Sequence, residues 1–109
     1  KATAARQHFA EAGVDGLIEL RDGDIRTAIS PHDGPIDLLL LDIWVPMVRP
    51  VVEQVAPLMA VGALLVADNT TSRRAEYEPL FSFLADPANG FTTMTLPFAG
   101  GLEVAVRTA

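Results

Sequence analysis

Two stretches decide the fold: Ile36-Asp37-Leu38-Leu39-Leu40-Leu41, which ends at Asp42, and Gly62-Ala63-Leu64-Leu65-Val66-Ala67, which ends at Asp68-Asn69. The second run is apolar throughout and the first is broken only by Asp37, so both read as buried strands, the first covered on both faces. Between them lie Pro46, Pro50 and Pro57. Pro46 or Pro50 suits the first turn of a helix, where no backbone N–H is needed. Pro57 ends or kinks that helix. A strand–helix–strand crossover makes its two strands parallel, so their C-terminal ends share one edge of the sheet. Open α/β sheets bind ligands at that edge.

Upstream, Ala2, Ala5, Phe9 and Ala12 recur at helical spacing, and Gly13 is a stop signal. Leu17 to Leu20 reads as a short strand running into the turn residues Asp22, Gly23 and Asp24. Ile25 to Ile29 reads as one or two helical turns, and Ser30 to Pro35 as a loop. Downstream, Tyr77, Leu80, Phe81 and Leu84 predict a helix over 74–85. Met94, Leu96 and Phe98, then Leu102, Val104 and Val106, alternate with a period of two around Ala99, Gly100 and Gly101, which predicts an antiparallel hairpin. The sum is an α/β fold, read as a single domain over 1–109.

Half of the 109 residues are apolar, enough for a real core. The longest apolar stretch contains Pro57 and Gly62 and falls short of the ~20 residues of a membrane span. Cysteine is absent, which removes disulfides, thiolate metal sites and cysteine nucleophiles. Nothing in the visible sequence reads as a signal peptide, and the expected location is the cytoplasm. The net charge is −6, with the acidic excess concentrated in 31–69. No basic stripe is present to neutralise phosphates, so nucleic acid is not an expected partner, and a cation suits the balance better.

Asp42, Asp68 and Asn69 end the two parallel strands. Two carboxylates and an amide oxygen converging at one edge suit Mg²⁺ or Ca²⁺. The competing reading has Asp42 and Asp68 capping the helices that follow them. His8, on a helix, and His32, in a Pro/Gly loop, read as solvated or capping residues. No Ser-His-Asp set, phosphate-binding loop or zinc spacing occurs.

The two strand-end stations, Asp37-Leu-Leu-Leu-Leu-Asp42 and Gly62-Ala-Leu-Leu-Val-Ala-Asp68-Asn69, resemble the class I S-adenosylmethionine (SAM)-dependent O-methyltransferases. Within these the metal-dependent branch, the catechol and caffeoyl-CoA type, is most similar. Pro57-Leu58 and Gly101-Leu102-Glu103 fall where that family has a Pro-Leu pair and its last strand. The resemblance implies a Rossmann-like sheet, mostly parallel with a C-terminal antiparallel hairpin, and lacking its first two strands here. It implies metal ligands at Asp42, Asp68 and Asn69, holding two vicinal hydroxyl oxygens of a small aromatic acceptor. It implies a SAM pocket touched by Gly23, Asp24 and Ile25 and by Asp42, Ile43 and Trp44, with Asp24 accepting from the adenine amine. Helix capping is the alternative for Asp24, and a core or interface aromatic the alternative for Trp44.

The family's Gly-rich cofactor loop and ribose-binding acid have no counterpart in the chain. It therefore reads as the C-terminal portion of the fold, inactive alone and binding SAM weakly or not at all. A lysine common three residues after the first metal-binding Asp is Val45 here, and the segment after Asn69 is short. An alternative is a methyltransferase-like binding or dimerisation module without catalysis. A more distant one is a receiver-like signalling domain with Asp42 as phosphoacceptor. That reading needs a lysine near a late strand end, and Lys1 is the only lysine. With the first strands missing, the first of the two buried strands has an open edge. This predicts either strands outside the 109 residues or pairing with a partner subunit, a possible homodimer.

Overall fold

A computed structural model describes residues 1–29 and 34–109. His32 and most of the Ser30–Pro35 loop lie outside the described residues. The chain divides into two compact units, Lys1–Pro31 and His32–Ala109.

The first unit contains helix α1 (Ala2–Glu11), a 3₁₀ turn over Asp15–Leu17 and the short helix α2 (Ile25–Ala28). Gly13 ends α1 as its sequence predicts: Gly13 N–H donates to the Ala10 carbonyl and Val14 N–H to that of Phe9, each at 3.0 Å. These are the two bonds that satisfy the last carbonyls of a helix closed by a left-handed glycine. The strand expected over Leu17–Leu20 does not form. A strand exists only as part of a ladder, and no described strand pairs with this segment; Leu17 is 86% exposed.

The second unit is a four-stranded sheet with two helices. Its elements are β1 (Ile36–Leu41), a 3₁₀ turn over Val45–Met47, α3 (Val48–Val55), a 3₁₀ turn over Ala56–Leu58, β2 (Met59–Asp68), α4 (Glu78–Ala85), a 3₁₀ turn over Pro87–Asn89, β3 (Phe91–Leu96) and β4 (Leu102–Arg107). The order is β1-β2-β4-β3, with β1 parallel to β2 and the other pairs antiparallel. This is the expected Rossmann-like arrangement with a closing hairpin. The prolines act as predicted: Pro46 opens the turn into α3, Pro50 sits in its first turn, and Pro57 converts its end to 3₁₀. The sheet register slips between Ile36–Met59 and Leu38–Leu64, where Gly62 adopts a positive φ.

One face of the sheet carries the core. Val48, Val51, Val52 and Val55 of α3 and Leu80, Phe83 and Leu84 of α4 are buried, as are Leu41, Leu65, Ala67 and Ala105 of the sheet. Arg49 joins the helices, donating to the Pro79 carbonyl at 2.7 Å and lying over the Phe83 ring. The reading of β1 as covered on both faces is corrected. Leu38 and Leu40 are 60% and 64% exposed, and β1 is an edge strand with β2 as its one described partner. A run of leucines records that both faces are apolar, not that both are covered. The helix expected over 74–85 begins only at Glu78, after consecutive turns through 70–77.

Candidate functional site at the sheet edge

The β1–β2 ladder closes with Leu38↔Leu64, Leu39↔Leu65, Leu40↔Val66 and Leu41↔Ala67. Asp42 and Asp68 are the next residues on adjacent parallel strands. Neighbouring strands lie ~4.8 Å apart, so the two acids stand side by side at the C-terminal rim. Both are exposed, as is Asn69. The burial of Leu41 and Ala67 just below them anchors the rim on the core.

Neither acid caps a long helix. Asp68 Oδ1 accepts from the Asn69 N–H at 2.8 Å, and α3 begins six residues after Asp42 without a side-chain cap. Asn69 has φ 60, a left-handed conformation that asparagine tolerates better than most residues. Its carbonyl accepts from Ser72 Oγ and Arg73 N, both at 3.2 Å. Among the described residues no three His, Cys, Asp or Glu side chains group as a metal site.

Trp44 is 71% exposed, so it is not a core aromatic, and Ile43 is half-buried. Both follow Asp42 directly at the rim. Tyr77, only 5% exposed, was not singled out in the sequence as a site residue. Burial raises its phenol above the ordinary 10; Arg73 opposes this, while Asp68, Asp42 and Glu76 push the same way. Its place on the apolar stripe with Leu80 and Leu84 signalled burial but not its electrostatic link to the rim acids.

In the first unit, Asp24 does cap α2. Its Oδ1 accepts from Arg26 N at 2.9 Å, and both carboxylate oxygens bond the Arg26 guanidinium, at 3.1 and 2.7 Å. These hydrogen bonds hold its pKa down to about 2. Gly23 precedes it with φ 115, and Ile25 is half-buried.

Comparison with solved structures then addresses the fold. The Podospora anserina methyltransferase PaMTH1, bound to SAH, superposes with a TM-score of 0.84 at 16% identity over 98% of this chain and 56% of its own. The Streptomyces achromogenes O-methyltransferase TomG, in complex with SAM, gives 0.84 at 23% identity over 99% and 57%. The chain has the fold of the O-methyltransferases. A Geobacter sulfurreducens methyltransferase gives 0.76 at 25% identity over 99% and 53%. The chain thus spans a little over half the length of these methyltransferases. No protein-family model and no curated protein matches it. No helix among the described residues is long and apolar enough to cross a membrane.

Proposed function

We propose that this chain forms the acceptor-side half of a SAM-dependent O-methyltransferase and that the Asp42–Asp68–Asn69 rim is where methyl transfer takes place. The observation that carries this is the Leu41↔Ala67 pairing, which sets the two acids side by side at the ligand-binding edge of a methyltransferase fold. Transfer breaks the sulfonium S–CH₃ bond and forms an O–CH₃ bond; the acceptor hydroxyl loses its proton and SAH leaves. The reaction needs chiefly an in-line approach, so the protein's work is positioning.

The donor set at the rim, two carboxylates and an amide, is hard oxygen and fits a divalent cation such as Mg²⁺ or Ca²⁺. Such a cation, when bound, supplies Lewis-acid polarisation of a vicinal-diol acceptor's hydroxyl. Asp42, Asp68 and Asn69 would hold it, and Ile43 and Trp44, which follow Asp42, would present apolar surface to SAM. The assignment of Gly23, Asp24 and Ile25 to the nucleoside belongs to the first unit and rests on the family resemblance alone.

The experiment is methyl transfer from SAM to a catechol by the full-length protein that carries this chain, with Mg²⁺ and with chelator. The reading predicts turnover that Asp68→Asn lowers about 100-fold or more. Turnover unchanged by Asp42→Asn and Asp68→Asn overturns it. The 109-residue chain alone is expected to hold SAH only at about 1 mM or weaker, reported by Trp44 emission. Micromolar binding overturns its reading as half of the site.

A further inference from the structure

The loop joining β3 to β4 lies against the segment that follows β2. The Gly100 carbonyl accepts from Thr71 N at 2.9 Å and Ser72 N at 3.1 Å, and the Gly101 carbonyl from Thr70 N at 3.3 Å. Three consecutive N–H groups after Asn69 therefore end on two glycines. The approach is close enough to exclude a side chain. A Cβ on Gly100 would stand 2.7 Å from Asn69 Oδ1, and one on Gly101 2.1 Å from Thr71 Oγ1 and 2.7 Å from Thr71 N. Both glycines have positive φ, 81 and 83. Thr70, between the two contacts, is fully buried.

Asn69 itself holds a positive φ, which asparagine tolerates at a small cost and which its contacts here fix. Its carbonyl is tied to Ser72 and Arg73, and its side-chain amide is bounded by Gly100. We infer that the Gly100–Gly101 turn is a positioning element for the rim, holding Asn69 left-handed and its amide oxygen in place beside Asp68. This inference rests on the rim being the functional site, but its first test does not. The glycines act through Asn69 and touch no ligand themselves.

The test couples Gly100 to Asn69. Gly100→Ala, Asn69→Gly and the double variant are compared by urea unfolding. Glycine at 69 removes both the amide that meets the new methyl and the cost of positive φ. Gly100→Ala should therefore raise the unfolding constant about fivefold or more further in the Asn69 background than in the Asn69→Gly background. If Gly100→Ala does not fold, the double variant is expected to fold. Equal effects in both backgrounds, or a double variant that is also unfolded, overturn the inference. The second readout is Mn²⁺ titration of folded variants. Gly101→Ala should weaken binding about tenfold, whereas Gly90→Ala, which strains the contact with Ala109, lowers stability alone. Equal Mn²⁺ affinity in Gly101→Ala and the unchanged chain overturns the positioning role. Failure of the unchanged chain to bind Mn²⁺ overturns the metal reading instead and leaves the unfolding comparison to decide the turn.

Discussion

Asp42 and Asp68 occupy equivalent places on neighbouring parallel strands, each one residue beyond the Leu41–Ala67 pair. Like charges on neighbouring strands repel, so this arrangement opposes stability. Asp42→Asn and Asp68→Asn should each stabilise the metal-free chain by about 0.2–1 kcal/mol at low salt. Added salt should shrink the gain as screening rises. Thermal unfolding at two ionic strengths checks this; destabilisation by both variants would show the acids acting as structural caps.

The pH behaviour of Asp24 follows from its hydrogen bonds to Arg26. A carboxylate held down to about 2 contributes stability above its ordinary 3.8 and loses that contribution as pH falls toward 2. A carbon-detected NMR titration should place the Asp24 midpoint near 2. Arg26→Ala should return it toward the ordinary value. A midpoint unmoved by Arg26→Ala would contradict the pairing.

Tyr77 shifts in the opposite sense. Its raised pKa favours the neutral phenol in the folded state, so its contribution is present below pH 10 and is lost as pH rises through the folded value. It is the only tyrosine, so absorbance at alkaline pH reports it alone. Ionisation should begin above the free-tyrosine range, or appear abruptly with unfolding. Titration at the free-tyrosine value would contradict its burial.

Glu103 is the buried acid of the sheet, 1% exposed, and both of its oxygens accept from threonine hydroxyls, those of Thr93 and Thr95. Glu103→Gln replaces one acceptor with a donor, so one threonine must stop donating to residue 103 and accept from its amide instead. The expected cost is about 1–3 kcal/mol by denaturant unfolding. A neutral substitution would mean that the hydroxyls do not hold the carboxylate.

These particulars show what the sequence could and could not disclose. The crossover and the hairpin were legible because apolar continuity, proline placement and period-two alternation are local signals of element type. The rim acids were legible because each directly follows an apolar run. The Leu17–Leu20 strand failed because its formation depends on a neighbour that local pattern does not reveal. The exposure of Leu38 and Leu40 failed for the same reason, since coverage belongs to tertiary context. Glu103 sits on the same face as Ala105, and alternation with Leu102, Val104 and Val106 suggested the opposite side for burial. Its burial depends on Thr93 and Thr95 across the ladder. The Gly100–Gly101 contact with Asn69 was hidden because it joins segments thirty residues apart.

The edge of β1 offers a separate check on the alternative reading as a dimerisation module. Leu38 and Leu40 stand exposed on a strand that pairs on one side only among the described residues, an arrangement that favours strand pairing with another chain. Light scattering should show self-association that Leu40→Lys abolishes without unfolding the chain. A monomer at all accessible concentrations would remove that reading.

Amide NMR in the presence of SAH and Mn²⁺ tests most directly whether the C-terminal rim of β1 and β2 is the functional site. Paramagnetic broadening should begin at Asp42, Ile43, Asp68 and Asn69 and be lost in Asp42→Asn and Asp68→Asn. Broadening centred on other acids, such as Glu53 or Asp86, with the rim resonances untouched, would contradict it.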